Sequence, residues 1–112
     1  MRLKPATYPA AVVRGDDWSF PFRVKVGDAV QTLQAATIQI RTSVDATDPL
    51  VTLSLEEGIT AGEDGWYWAA MTPEQTAELT DGVYDLEVQT EAGEVLTLVG
   101  GPVPVTKDVT RG

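Results

Sequence analysis

The chain contains no cysteine and no histidine, and these two absences narrow its chemistry before any motif is considered. Without cysteine there is no disulfide framework and no thiolate chemistry, so the stability of the fold cannot depend on the redox state of its compartment. Histidine is missing as well, and the remaining polar residues show no recognisable catalytic spacing. The sequence therefore predicts a protein that is not an enzyme, with no catalytic residue, no metal site and no cofactor.

Positive charge and long apolar runs are also scarce. Eight Lys and Arg residues stand against seventeen Asp and Glu residues, which leaves a formal net charge of -9. A surface of this sign repels phosphate backbones, so we expect no nucleic-acid partner. No stretch approaches the length of a membrane span, and residues 1–5 lead into no apolar run of signal-peptide length. We therefore expect no membrane partner and synthesis in the cytoplasm.

The length and composition fit a single globular domain. The chain has 112 residues, of which 43% are hydrophobic and 22% charged, values close to those of ordinary folded proteins. A chain of this size has room for one core and not for two. We predict one domain over residues 1–112, with residues 1–9 and 106–112 as extended tails.

Alternating polarity is the main structural signal. In residues 18–26 the side chains on one parity are large and apolar: Trp18, Phe20, Phe22, Val24 and Val26. This is the pattern of a half-buried strand. Similar runs are predicted at 10–13, 37–41, 50–55, 66–71, 83–90, 95–99 and 103–109, with residues 59–65 as a connection. Their short links favour antiparallel pairing, and the sequence predicts an all-β fold, an immunoglobulin-like antiparallel β-sandwich of about seven strands.

One short helix is predicted before the penultimate hairpin. Thr72 is the predicted N-cap, Pro73 takes the first helical position and Gln75 completes a capping-box pattern, which predicts a helix as far as Leu79. Farther along, Tyr84 resembles the tyrosine corner of immunoglobulin-like sandwiches, in which the phenol bonds to upstream backbone. The alternative for this tyrosine is a purely space-filling place in the core.

The predicted strand at 66–71 is aromatic on both faces. Trp66 and Trp68 share one face and Tyr67 lies on the other, so either both faces are covered or one contacts another chain or stacks on a sugar ring. We expect both tryptophans in the core and Tyr67 half-exposed, and we retain all three as candidate interface residues. Val103 and Val105 are candidates too, because strands near 103–109 and 10–13 are predicted at sheet edges, where a partner can dock by strand addition.

Three weaker motifs have simpler explanations. Arg14-Gly15-Asp16 matches a cell-adhesion tripeptide, but these residue types also suit an ordinary turn. Acidic clusters offer oxygen ligands for calcium or carboxylates for acid–base catalysis, yet neither cluster follows an ordered calcium-loop pattern and a solvated acidic face is the better explanation. The acidic residues concerned are Asp45, Asp48, Glu56, Glu57, Glu63 and Asp64.

Nearly the whole chain resembles a family, through four elements that occur in order. They are Val13-Arg14-Gly15-Asp16 before an alternating strand, Thr37-Ile38-Gln39-Ile40-Arg41, a threonine-led helix followed by residues 79–88, and residues 93–100 followed by 103–111. The chain is similar to the small immunoglobulin-like modules of tailed bacteriophages and prophages, such as the N-terminal domain of siphophage upper baseplate proteins. These are turn and strand signatures, so no functional residue can be assigned from the resemblance.

The resemblance implies a non-enzymatic structural protein of the virion, present in multiple copies or as a homo-oligomer and docked onto other phage virion proteins. Longer relatives continue into a helical or fibrous part that carries the receptor-binding apparatus, whereas this sequence stops at Gly112. This departure weighs against a baseplate-adaptor role and favours a free-standing accessory, decoration or connector protein. We expect a small tail, baseplate or connector accessory. One alternative is a capsid decoration or head-fibre base protein. Another is a carbohydrate-binding or adhesin module that stacks a sugar on Tyr67 or on an exposed tryptophan.

Overall fold

The computed structural model describes residues 6–7 and 10–106, which form short strands and one helix. In chain order these elements are β1 Ala6–Thr7, β2 Val12–Val13, β3 Trp18–Arg23, β4 Lys25–Val26, β5 Ala29–Val30, β6 Leu33–Arg41, β7 Val51–Leu55, β8 Gly58–Ala61, β9 Trp66–Met71, α1 Pro73–Ala77, β10 Gly82–Thr90, β11 Val95–Val103 and β12 Val105–Thr106. The single helix among these residues is too short to cross a lipid bilayer.

Eight of the strands form one curled sheet in the order β1-β11-β10-β6-β7-β8-β9-β3. Most neighbours are antiparallel, but β7 and β8 pair in parallel across a two-residue link. The backbone is left-handed at Glu56 in this link and at Gly58, the first residue of β8, with φ of 69° and 105°. A Cβ at Gly58 would lie 2.6 Å from Leu53 Cδ2, so the close approach of β7 and β8 requires glycine there.

The core lies inside the curled sheet and follows the alternation of the sequence. From Ala36 onward in β6 and from Tyr84 onward in β10 the buried residues occur at every second position, which leaves polar side chains on the outer face. The largest fully buried side chains include Ile38, Ile40, Leu53, Ile59, Leu79 and Leu86. The predicted all-β, sandwich-like fold is confirmed.

Several predicted boundaries are corrected. The inward parity of residues 18–24 is right, but Val26 is 41% exposed because the chain leaves the sheet after Val24 and turns back at Gly27, where φ is 62°. The predicted connection at 59–65 contains most of β8. The last long strand does not stop at Val99, since β11 continues to Val103 and pairs with β10 along its length.

The helix begins as the capping pattern predicts and ends earlier. Thr72 Oγ1 accepts a hydrogen bond from the Gln75 amide at 3.2 Å, and the Gln75 side chain accepts one from the Thr72 amide at 2.9 Å. The α-helix ends at Ala77, two residues before the predicted end. Leu79 then turns inward and is fully buried, which fixes the short helix against the core.

Parts of both predicted tails are paired with the fold. β1 runs parallel to β11, with Ala6 opposite Val99, and Thr106 of β12 lies opposite Val13 of β2. The remaining residues of the predicted tails, 1–5, 8–9 and 107–112, lie outside the described residues.

Candidate functional site

The structure places the aromatic strand β9 with its tryptophans outward. Trp66 is 39% exposed and Trp68 is 47% exposed, whereas Tyr67 is buried. The expectation of buried tryptophans and a half-exposed tyrosine is therefore wrong. The Tyr67 ring stacks on Phe22 at 5.6 Å between centroids, and its hydroxyl accepts a hydrogen bond from the Leu33 amide at 2.9 Å. The interior thus offers this tyrosine a stacking partner and a donor.

Strand register brings three further side chains onto the same face as the two indoles. On β3, Arg23 lies opposite Trp66 and Pro21 lies opposite Trp68, and on β8 Thr60 lies opposite Trp68. Because directly opposed residues of antiparallel strands point to the same side, these side chains share the outer face. We call this surface, formed by Pro21, Arg23, Thr60, Trp66 and Trp68, the tryptophan face. It is the outer surface of β8, β9 and β3.

Two carboxylates border the tryptophan face at the β8–β9 turn. Glu63 and Asp64 line an open groove of about 590 Å³ together with Pro21 and the two tryptophans. Asp64 and Gly65 both have positive φ, 57° and 80°, and the Trp66 amide donates to the Glu63 carbonyl at 3.0 Å. This is the geometry of a type I′ hairpin turn. The turn holds both acidic residues beside the indoles.

A cation already lies on the tryptophan face. Arg23 Cζ is 4.7 Å from the centre of the Trp66 ring, which is a cation–π contact. The indole of Trp68 lies beside the backbone of Gly62, where a Cβ would approach its Cδ1 and Nε1 atoms to 3.4 Å. Trp66 is therefore partly covered by Arg23, and Trp68 presents the more exposed ring.

The other candidate interface residues do not join this surface. Tyr67 and Val103 are buried in the core, and Val105 is half-buried on β12. The buried side chains of Tyr67 and Val103 offer no surface to a partner in this fold. Docking by strand addition at the Val103 backbone stays a prediction. Tyr67 likewise cannot act as a sugar-stacking platform.

The two edges predicted to accept a partner strand are bonded to each other. β12 pairs in parallel with β2, and the Val12 amide donates to the Pro104 carbonyl at 3.0 Å. The Val105 amide donates to Asp81 Oδ1 at 2.8 Å. These donors already have partners within the chain, so strand addition at these amides would require existing hydrogen bonds to break. Residues 107–109 of this prediction lie outside the described residues.

The Arg14-Gly15-Asp16 tripeptide is a turn attached to the helix. Arg14 Nη2 donates to the Ala77 carbonyl at 3.0 Å, and the Gly15 amide donates to Thr76 Oγ1 at 3.0 Å. The same threonine hydroxyl donates to the Asp16 carbonyl at 2.7 Å. Thr76 is completely buried. These bonds support the interpretation of the tripeptide as a structural turn.

The remaining sequence candidates are the acidic clusters and Tyr84. Among the described residues, no three Asp, Glu, Cys or His side chains come close enough together to hold a metal ion. Tyr84 is buried on β10, as both of its interpretations require, and its tyrosine-corner hydrogen bond stays a prediction.

The tryptophan face is the structural feature from which we infer a function. No family model matches the chain, and no curated protein matches it either. The fold and the site define a small all-β module with an outward aromatic surface bordered by carboxylates.

Proposed function

We propose that the protein is a non-enzymatic docking module of a phage virion, a small tail, baseplate or connector accessory that binds other virion proteins. The docking part of this proposal is supported by the outward orientation of Trp66 and Trp68 on β9. Tryptophan is enriched among the residues that dominate binding energy at protein interfaces.

The size of the tryptophan face sets the strength of one contact. A tryptophan side chain offers about 150–250 Å², so an indole that is two-fifths exposed leaves about 60–100 Å² for a partner to cover. At about 25 cal/mol per Å², covering each indole contributes about 2 kcal/mol. A stable interface buries about 800 Å² on each side, so the tryptophans would form the centre of a larger contact.

A contact of this strength suits a protein that acts in multiple copies. When several copies are held in one assembly, each further contact forms at a high effective concentration, and modest interfaces add up. The virion setting comes from the sequence resemblance to phage immunoglobulin-like modules. A capsid decoration or head-fibre base protein is the same class of function at another position of the particle.

A carbohydrate-binding module is the second candidate, and the exposed indoles are the observation in its favour. A sugar ring stacks on an aromatic face, and the neighbouring Glu63 and Asp64 carboxylates accept hydrogen bonds from hydroxyl groups. The platform would be Trp68, the more exposed of the two indoles. Protein docking is preferred because the resemblance points to a structural part of the virion.

The proposal is tested on particles produced by the source genome. Heads and tails are separated, and the copy number of the protein in each fraction is measured by mass spectrometry against the major capsid and tail-tube proteins. Low copy number confined to tails is the expected result. High copy number on heads would indicate the decoration alternative, and absence from both fractions would contradict the virion proposal and favour glycan binding.

A further inference from the structure

Charge is divided unevenly between the central part of the chain and its terminal segments. Residues 6–106 contain sixteen acidic and four basic residues, a formal charge of -12. Residues 1–5 and 107–112 together contain four basic residues and one acidic residue, a formal charge of +3. Two central parts therefore repel each other, while each attracts the terminal segments of another copy.

The tryptophan face contains one cation–π contact within the chain. The Arg23 guanidinium lies over the Trp66 ring at 4.7 Å, within the range of a cation–π contact. Trp68 is more exposed, and the described residues place no cation over its ring. Glu63 and Asp64 line the same groove. The groove therefore offers an aromatic ring and two carboxylates to a second cation.

We propose that residues 1–5 of a second copy of this chain dock on the tryptophan face, with one basic side chain over Trp68 and the other beside the carboxylates of the β8–β9 turn. This inference rests on the proposed docking function and names the partner. It makes the central part of one copy the receptor for the N-terminal segment of the next.

The spacing of the basic residues favours the N-terminal segment over the C-terminal one. In an extended chain Arg2 and Lys4 project to the same side, and no acidic residue lies between them. Lys107 and Arg111 are four residues apart, with an acidic residue between them. The N-terminal pair therefore carries no opposing charge, whereas the C-terminal pair does.

The edge strand β3 favours a partner that covers the tryptophan face over a partner that pairs with β3 as an added strand. β3 is the last strand of the curled sheet, and Pro21 lies in its middle. Proline has no amide hydrogen to donate, so a strand added beside β3 would lack one hydrogen bond. The side chains on the tryptophan face therefore provide the contact.

Self-association of the full-length chain tests this proposal. Sedimentation velocity is measured over a series of protein concentrations, at low ionic strength and at about 0.5 M salt, where screening shortens the range of charge interactions to a few ångströms. We expect concentration-dependent association that salt weakens. The contact joins two different surfaces, so the expected products are rings or open chains of copies.

Two variants and their combination test the contact directly. W68A should weaken association by roughly two- to thirtyfold, the range of one cation–π contact. R2Q/K4Q should weaken it by at least as much, because it removes the contact with the carboxylates as well. The combined variant should be weakened by less than the product of the separate effects, because both remove the same contact. K107Q/R111Q and V95A are the matched controls for charge and for an exposed apolar side chain, and thermal unfolding checks that every variant is folded.

Several results would overturn the inference. They are a wild-type chain that stays monomeric in all conditions, association that survives R2Q/K4Q, and association lost in K107Q/R111Q instead. The chain could also stay monomeric while its tryptophan fluorescence responds to a neutral glucose hexasaccharide. Loss of that response in W68A would show that the groove binds glycans.

The experiments distinguish a failure of the self-docking inference from a failure of the virion proposal. A monomeric chain that is nevertheless present in tails would contradict the self-docking inference and leave the virion proposal standing. A self-associating chain that is absent from particles would support self-docking and contradict the virion proposal.

Discussion

At the scale of the residue, Tyr67 decides which side of β9 faces the interior. Its ring stacks on Phe22 of β3, and its hydroxyl accepts the Leu33 amide at the start of β6. β6 and β9 are not neighbours in the sheet, so this bond joins strands across the interior. Because side chains alternate along a strand, fixing Tyr67 inward places Trp66 and Trp68 outward.

Tyr67→Phe should lower the free energy of unfolding by about 1–3 kcal/mol, because it leaves the buried Leu33 amide without an acceptor. Equilibrium denaturation in urea measures the change. Trp68→Phe is the control on the exposed side of the same strand, where we expect a change within about 0.5 kcal/mol. Equal effects of the two substitutions would contradict the orientation of β9 described above.

At the scale of the element, the β8–β9 hairpin builds the border of the tryptophan face. Its turn is left-handed at Asp64 and Gly65, and a Cβ at Gly65 would collide with Val30 Cγ1 of the β4–β5 hairpin. The two hairpins therefore pack closely at this point. Glycine is required at position 65 for the backbone conformation and for the space.

Gly65→Ala should destabilise the protein more than Gly93→Ala, which is the matched control. Both glycines have positive φ, but a Cβ at Gly93 meets nothing within 4 Å. The difference isolates the collision with Val30, and we expect it to be about 1–3 kcal/mol in urea denaturation. Adding Val30→Ala should recover part of the loss at Gly65. Equal losses at the two glycines would contradict the packing of the hairpins.

The elements also show how far the sequence could predict the structure. Alternation predicted β9 with the observed bounds, and the capping pattern predicted where α1 begins. A two-residue period assigns residues to faces but does not say which face is inward. For β9 that choice depends on Leu33, which is 34 residues away from Tyr67 in the chain. β8 was missed because its four residues lie among glycines and acidic residues and have only one buried side chain.

At the scale of the whole molecule, the curled sheet separates the core from an outward aromatic surface on β8, β9 and β3. The sequence identified Trp66 and Trp68 as interface candidates and also named Tyr67 and Val103, which the fold buries. The edges near Val12 and Val105 were candidates as well, but the two strands pair with each other. Such pairing between distant segments depends on tertiary structure, and local polarity does not reveal it.

The central claim is that the protein docks through the tryptophan face, and competitive incorporation into particles tests it most directly. Cells producing phage supply equal amounts of wild-type protein and W68A, and mass spectrometry measures their ratio in purified particles. We predict that W68A is depleted about thirtyfold, the effect of losing an interface contact of about 2 kcal/mol. V95A, which shortens an exposed side chain elsewhere, should be incorporated like the wild type. Equal incorporation of W68A and wild type would contradict the claim.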